Sequence, residues 1–387
     1  MLLYDEALRN ALAKVFGEDL DLFLRSLAEP GQRYYVRVNT LRISPEDVVD
    51  GLRFRGIEAY LDEELEEAIY IPVKGPYKVR LQDKVVIANK YAAESVYMGS
   101  NLYAPGIVSC SEGVKRGDVV TVVAENGVVV GEGVAMLSCG EIMKQRKGLA
   151  VEVYASVYKV PPIRDSLEYR EGLIYPQSLP AMYVSRVLDP QPKELIVDVC
   201  AAPGGKTGHI IELTRGRALV VSFDHSRKRI DSMLSELDRL GHTPFVEVWR
   251  ADSRYLHIDF SWIEADRVVV DPPCTALGVR PKLFDRKTYV DVLNAANYQL
   301  QFLRSATKIL KKGGTLVYST CTVTAEENEE VIEQFIEEER CVEPVPIETT
   351  RGSRGIRSAK HSYAYLRFHP HEHNTVGYFI AKLVKKC

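Results

Sequence analysis

Apolar positions along this chain change their spacing twice, and each change marks a boundary. From Tyr4 to Phe16 they recur at helical intervals, and a second apolar patch gathers around Leu20, Phe23 and Leu27. Tyr34-Tyr-Val-Arg-Val-Asn-Thr-Leu-Arg42 then alternates as a strand does. Ser44-Pro45-Glu46-Asp47 predicts a helix start, with serine as cap, proline in the first helical position and acids in the first turn. Residues 1–77 therefore read as a mixed α/β unit. Over residues 78–162 the pattern becomes short β-rich runs separated by glycine, at 84–88, 106–109, 118–124, 127–132 and 149–158, with Asn126-Gly127 a strong hairpin signal. Short strands with regular turns predict a small barrel or sandwich.

Past Pro161-Pro162, residues 163–387 carry an amphipathic helix through Met182, Val184 and Leu188 and then alternate strand with helix. Strand-like runs at 194–200, 218–224, 245–251, 267–271 and 315–319 are separated by helical or looped segments, among them helices at 227–240, 292–310 and 325–340. Strands separated by helices call for an α/β fold with a parallel, doubly wound sheet. A last strand, 377–383, has no helix before it and is expected to insert antiparallel. There is no internal repeat and no low-complexity tract.

Composition narrows the function classes. A chain of 387 residues is expected to form two or three domains. No apolar run approaches a membrane span, and an N-terminus holding Asp5, Glu18 and Asp19 does not read as a signal peptide, so a cytoplasmic protein without membrane attachment is expected. A net charge of −3 gives no compositional sign of a nucleic-acid partner. Local basic faces remain open at Lys144-Gln-Arg146-Lys147, at Arg227-Lys228-Arg229 and around Arg351, Arg354, Arg357 and Lys360, although solvated surface explains each equally well. Seven cysteines, odd in number, scattered and without a C-x-x-C pair, argue against a disulfide framework and a zinc site. Reduced thiols are expected, one or two of them chemical.

The strongest local signal is Asp198-Val-Cys-Ala-Ala-Pro-Gly-Gly-Lys-Thr207, entered from the apolar run at 195–197. A buried strand emptying into a glycine-bearing turn and then a helix presents backbone N–H groups to a nucleotide-like ligand. A phosphate loop ending at Gly205-Lys206-Thr207 needs glycine where Cys200 stands, and adjacent Gly204 and Gly205 break the dinucleotide fingerprint. S-adenosylmethionine remains. Asp224, ending the second strand, can take both ribose hydroxyls, and Asp252, ending the third, can accept from the adenine amine. Either aspartate alone could simply cap the next turn. The expected cofactor set is Cys200, Ala201, Ala202, Pro203, Gly204, Gly205, Lys206, Asp224, Arg229, Asp252 and Asp271.

The fourth strand ends in Asp271-Pro272-Pro273-Cys274 and the fifth in Ser319-Thr320-Cys321. Amine methyltransferases with a similar loop need an aromatic residue after Pro-Pro; cysteine suggests different chemistry. Carbon 5 of a pyrimidine attacks a methyl sulfonium only after a thiolate has added at carbon 6, a case of covalent catalysis. Two cysteines on adjacent strand ends supply an attacking thiol and a second group to undo the adduct. Lys206 can lower a thiol pKa, and Asp271 can hydrogen-bond the base. Spacing leaves open which cysteine does which. His369, His371 and His373 alternate at metal-ligand spacing, but Pro370 and Asn374 favour a loop there, and no metal is expected.

Together, the Asp198–Thr207 stretch, Asp271-Pro-Pro-Cys-Thr-Ala-Leu-Gly278 and Tyr318-Ser-Thr-Cys-Thr322 resemble the Nop/Sun family of RNA cytosine-5 methyltransferases, as does Arg37-Val-Asn-Thr-Leu-Arg42. The resemblance implies a Rossmann-like methyltransferase sheet, Cys321 as nucleophile, Cys274 assisting adduct breakdown, Asp271 on the cytosine and Lys206 beside it. Gly99-Ser-Asn-Leu-Tyr-Ala-Pro-Gly106, Val114-Lys-Arg-Gly-Asp-Val119 and Val129-Val-Gly-Glu-Gly133 make the inserted block similar to a PUA domain, a small RNA-binding barrel. That arrangement is similar to the subgroup acting on the terminal pair of the tRNA acceptor stem, at position 72. It implies tRNA as partner, gripped at its 3′ end, with Tyr103, Lys144, Arg146 and Lys147 as barrel contacts and no obligatory protein partner. Ribosomal RNA as the substrate, a phosphate-loop NTPase and a non-catalytic RNA-binding protein are the alternatives.

Overall fold

The computed structural model describes residues 2–387. Five parallel strands lie in the order Val246–Arg250, Leu219–Asp224, Leu195–Asp198, Ala265–Val270 and Leu310–Thr320. The last strand, Tyr378–Lys385, runs antiparallel beside Leu310–Thr320, as its helix-free approach predicts. Tyr365–Phe368 and Val342–Val345 share its other edge. Successive residues face opposite cores. Val197, Val221, Val268 and Leu316 pack with Leu303 and Phe335, while Ile196, Val220, Val269 and Val317 pack with Met182 and Leu188. Burial on both faces is what uninterrupted apolar runs encode. The strand order reverses between Leu195–Asp198 and Ala265–Val270, which opens a crevice at the strands' carboxyl ends.

Helix Arg227–Leu240 has the expected bounds, and Tyr289–Ile309 starts earlier than the apolar period suggested because Thr288 and Asp291 form a capping box. The acidic helix is shortened to Glu329–Glu338, since Glu326, Glu327 and Asn328 turn inward as buried residues ahead of it. No described helix is long and apolar enough to cross a membrane.

The barrel is a six-stranded sheet: Leu102–Tyr103, Leu149–Ser156, Val129–Ala135, Val119–Ala124, Val85–Ala88 and Ile107–Cys110. Its core of Val86, Val96, Ile107, Val122 and Val151 also takes in Leu283, from the loop that follows Cys274. The N-terminal sheet of Arg33–Val38, Ala68–Pro72 and Tyr60–Leu61 is likewise completed from elsewhere, by the edge strand Ile174–Pro176. Helix Glu6–Phe16 and helix Leu20–Ser26 leave that sheet and pack on Leu277, Val292 and Val323. The first 77 residues therefore do not close on themselves. Period analysis cannot show this, because the pairings are distant in sequence.

One expectation needs correction. Cys110–Cys139 and Cys341–Cys387 are disulfides, leaving Cys200, Cys274 and Cys321 free. The partners stand 29 and 46 residues apart, and only the folded barrel and sheet bring their Cα atoms to 6.0 and 5.2 Å. Reducing both bridges should lower the thermal midpoint, since a bridge of this kind contributes about 2–4 kcal/mol; an unchanged melting curve would show them to be dispensable. Of the basic residues near the C-terminus, Arg357 and Lys360 are exposed, whereas Arg351 and Arg354 are engaged. Arg351 pairs with Asp62 and Glu63, both at 2.8 Å, and Arg354 donates to the carbonyls of Ile347 and Tyr363. His369, His371 and His373 flank or occupy the short helix Pro370–His373, where the rings of His369 and His371 meet Phe16 edge-on.

Candidate active site

Strand Leu195–Asp198 ends in a turn fastened to its neighbour by Ala201 N donating to the Phe223 carbonyl at 2.9 Å. Gly204 has φ +98°, and a Cβ there would stand 3.0 Å from Met233 Cγ, so this glycine serves the turn. Helix Gly205–Leu213 follows. Its first turn is held from the N-terminal sheet by Arg37, whose buried guanidinium donates to the Gly205 carbonyl at 2.6 Å, to Gln177 and, through Nη2 at 3.1 Å, to Glu212, with which it forms an ion pair.

A cavity of about 240 Å³ opens above the strand ends, lined by Cys200, Asp224, Arg229, Asp252, Asp271, Cys274 and Cys321 and walled by Tyr298 and Phe302. Ala201, Ala202, Pro203, Gly205 and Lys206 line an adjoining cavity that shares Cys200 and Asp271; Gly204 lines neither. Asp224 is buried, accepts from Ser226 N at 2.9 Å and lies 3.4 Å from Arg229, which also reaches the Ala202 carbonyl. Asp252 caps the turn Ser253–Tyr255 while bordering the cavity, and the Arg254 guanidinium holds its carboxyl below the ordinary range. These groups suit adenosine. Asp224 offers paired acceptors to vicinal hydroxyls, and the aromatic wall offers the base an apolar face.

The two cysteine loops are clamped together. Cys274 Sγ and Cys321 Sγ are 3.3 Å apart. Thr275 and Thr322, one residue beyond each thiol, join hydroxyls at 2.8 Å, and the Glu327 carboxylate accepts Thr275 N at 2.9 Å and Gln299 Nε2 at 3.0 Å. Gly278 N donates to the Cys321 carbonyl at 3.1 Å, and a Cβ on Gly278 would come within 2.4 Å of Gly377 O, so the loop can approach only with glycine there.

The three free thiols differ in character. The hydrogen bond shared with Cys274 pulls the Cys321 pKa down; burial and Asp271 oppose it, and Lys206 and Lys282 assist. Cys274 is pushed well up, first by that bond and then by burial. Burial also raises Cys200, helped by Asp198 and Asp271. Thiolate character therefore concentrates on Cys321. Next to the pair, Lys206 Nζ lies 2.6 Å from Asp271 Oδ2, while Asp271 Oδ1 accepts from Ser319 at 2.7 Å and from Tyr378 at 3.3 Å. Burial works against the Lys206 ammonium, but Asp271 and Tyr378 outweigh it and raise its pKa.

Several of these residues escaped sequence reasoning. Tyr298 and Phe302 sit one turn apart on an amphipathic helix, where core residues look the same. Tyr378 is one aromatic among several in the final strands. Arg37 did carry a signal, a charge within an alternating apolar strand. In the barrel, Tyr103 is 56% exposed and Lys144, Arg146 and Lys147 are exposed, with Arg146 also donating to the carbonyls of Ile107 and Pro105.

Comparison with known proteins agrees with this geometry. The family model described as 16S rRNA methyltransferase RsmB/F matches residues 185–384, and that of the PUA domain matches residues 84–157. The chain is 40% identical to a tRNA (cytosine(72)-C(5))-methyltransferase of Pyrococcus horikoshii, over 99% of this chain and 97% of that one. It is 30% identical to the human tRNA (cytosine(72)-C(5))-methyltransferase NSUN6, over 97% and 93% of the two chains. The crystal structure of NSun6 from Pyrococcus horikoshii with SFG, an S-adenosylmethionine analogue, superposes with a TM-score of 0.90 at 39% identity, covering 99% of this chain and 98% of that one. The chain therefore belongs to the RsmB/F family of methyltransferases, as an S-adenosylmethionine-dependent RNA cytosine-5 methyltransferase that carries a PUA domain.

Proposed function

We propose that this enzyme methylates carbon 5 of cytosine 72 in the acceptor stem of tRNA, with Cys321 as nucleophile and Cys274 as the group that helps release the product. The names and full-length similarity of the two tRNA relatives support the substrate. The observation that carries the mechanism is the thiol pair, 3.3 Å apart in the cavity at the strand ends. Cys321 adds to carbon 6 of the cytosine, forming an S–C bond and moving electron density to carbon 5. Asp271, freed in part from Lys206, hydrogen-bonds the polar edge of the base and promotes the addition. S-adenosylmethionine, held by the Ala201–Gly205 turn, Asp224, Arg229 and Asp252, supplies an electrophilic methyl group. Carbon 5 would take the methyl group as the cofactor's methyl–sulfur bond breaks. Loss of the carbon 5 proton to water would then expel Cys321 as the thiolate, which Cys274, hydrogen-bonded to that sulfur, stabilises to assist the cleavage. The target base must leave its pair to enter the crevice. Exposed Tyr103, Lys144 and Lys147 give the barrel a stacking ring and two charges for the single-stranded 3′ end.

Cys274→Ala should accumulate a covalent protein–RNA adduct, visible as a slow band on a denaturing gel, and adding Cys321→Ala should remove the band. An adduct in the Cys321→Ala protein and none in Cys274→Ala would reverse the two roles. Mapping 5-methylcytosine in tRNA and ribosomal RNA treated with the wild-type enzyme tests the substrate.

A further inference from the structure

The loop between Cys274 and helix Tyr289–Ile309 holds a buried cation that the chemistry above does not use. The Lys282 side chain is 5% exposed. Its Nζ donates to the Ala276 carbonyl at 2.8 Å and to Asp285 at 3.0 Å. Ala276, just beyond Cys274, holds a φ of 55°, a left-handed conformation that a residue with a Cβ keeps only when its surroundings impose it. Asp285 in turn accepts from Lys90 of the barrel helix Lys90–Tyr97 at 2.8 Å and from the Tyr4 hydroxyl at 3.3 Å. Between Lys282 and Asp285 the chain dips into the barrel. Leu283 lies in the barrel core, its carbonyl accepts from Asn126 of the barrel hairpin at 3.0 Å, and its N–H donates to Glu94 at 3.1 Å. The barrel thus grips the loop around Lys282, and Lys282 grips the turn that carries Cys274.

We propose that Lys282 is a positioning residue for the Cys274–Cys321 pair, held in place by the barrel through Asp285, so that a contact made outside the catalytic sheet tunes the nucleophile. The inference rests on Cys321 being the nucleophile of the reaction above. Charge accounting supports it. Cys321 touches Cys274, and the charged groups that act on it most strongly are Asp271, Lys206 and Lys282, with Tyr378 beside Asp271. Lys206 is balanced by Asp271 at 2.6 Å; Lys282 and Lys90 share Asp285, with the part-buried Glu94 as a second carboxylate near both, so Lys282 acts on the pair as the buried cation of a compact charged cluster. A nearby positive charge favours the thiolate, so its removal must raise the pH at which Cys321 ionises.

The test is alkylation of Cys321 by iodoacetamide as a function of pH, on the full chain without RNA, read by peptide mass. Lys282→Met should move the alkylation midpoint up by about one pH unit. Lys282→Arg should keep it near wild type, and Lys90→Met should move it up by less. A wild-type midpoint in Lys282→Met overturns the proposal, and a wild-type midpoint in Lys90→Met overturns the barrel's part in it. If Lys282→Met does not fold, as judged by circular dichroism, the Lys90→Met midpoint decides. Retention of methyl transfer by Cys321→Ala would sink the nucleophile assignment, a result independent of these midpoints.

Discussion

Cys321→Ala should lose methyl transfer to tRNA by a factor on the order of 10⁴ or more, the scale on which covalent enzymes respond to loss of their nucleophile. Carbon 5 of cytosine acquires nucleophilic character only while sulfur is bonded at carbon 6, so no neighbouring group can act in its place. Cys274 is 3.3 Å away but has the wrong character. The bond it shares with Cys321 and its burial push its pKa well up, so it stays a thiol. Cys200 borders the same cavity, yet burial and three carboxylates, Asp198, Asp271 and Asp224, keep it protonated. The variant should bind S-adenosylmethionine with unchanged affinity by calorimetry, because Cys321 contributes no hydrogen bond to the cofactor-side acids. Residual transfer within tenfold of wild type would exclude the covalent mechanism.

The largest stability effect is expected at Arg37. Its guanidinium is fully buried and pairs with Glu212, itself 2% exposed. Burial already raises the Glu212 pKa to about 7, so Arg37→Met would leave a carboxyl in the interior that must either take up a proton or stay charged without a partner, a change that costs up to about 3–5 kcal/mol. The nearest imidazole, His242 at 3.4 Å from Glu212, cannot take over, since burial pushes its pKa down to about 3 and it stays neutral at working pH. Urea unfolding should report the loss as a lower midpoint. The double variant Arg37→Met/Glu212→Met removes both charges and should recover most of the difference. If the single and double variants unfold at the same urea concentration, the pair carries no coupling. Because Arg37 also holds the Gly205 carbonyl, the single variant should weaken S-adenosylmethionine binding even where it remains folded.

The parallel sheet, the helix Arg227–Leu240, the antiparallel last strand and the barrel's hairpin were legible because each is written in local period or turn chemistry. The motif residues at the strand ends were legible for a related reason: a doubly wound sheet places every such end on one crevice. What could not be read depends on distant pairings. Cys110 with Cys139, Cys341 with Cys387, strand Ile174–Pro176 closing the N-terminal sheet, and Leu283 entering the barrel are all set by tertiary approach. The two carbonyls that Arg146 meets, of Ile107 and Pro105, are likewise brought to it only by the folded barrel.

The insertion of Leu283 into the barrel bears on how enzymes of this kind can be recombined. An inserted domain is usually treated as a cassette, cut out or exchanged at its two junctions. Here the cassette boundary runs through the catalytic half of the chain, because residues 276–287 supply part of the barrel's core and its charged contact to Lys90. A chimaera that trades barrels to change its RNA target should need that loop from the same parent as the barrel. A minimal catalytic fragment lacking the insert would expose Leu283 and leave Lys282 and Asp285 without their barrel partner, Lys90. The heritable unit is the insert together with a loop more than a hundred residues downstream, and the two are expected to change together.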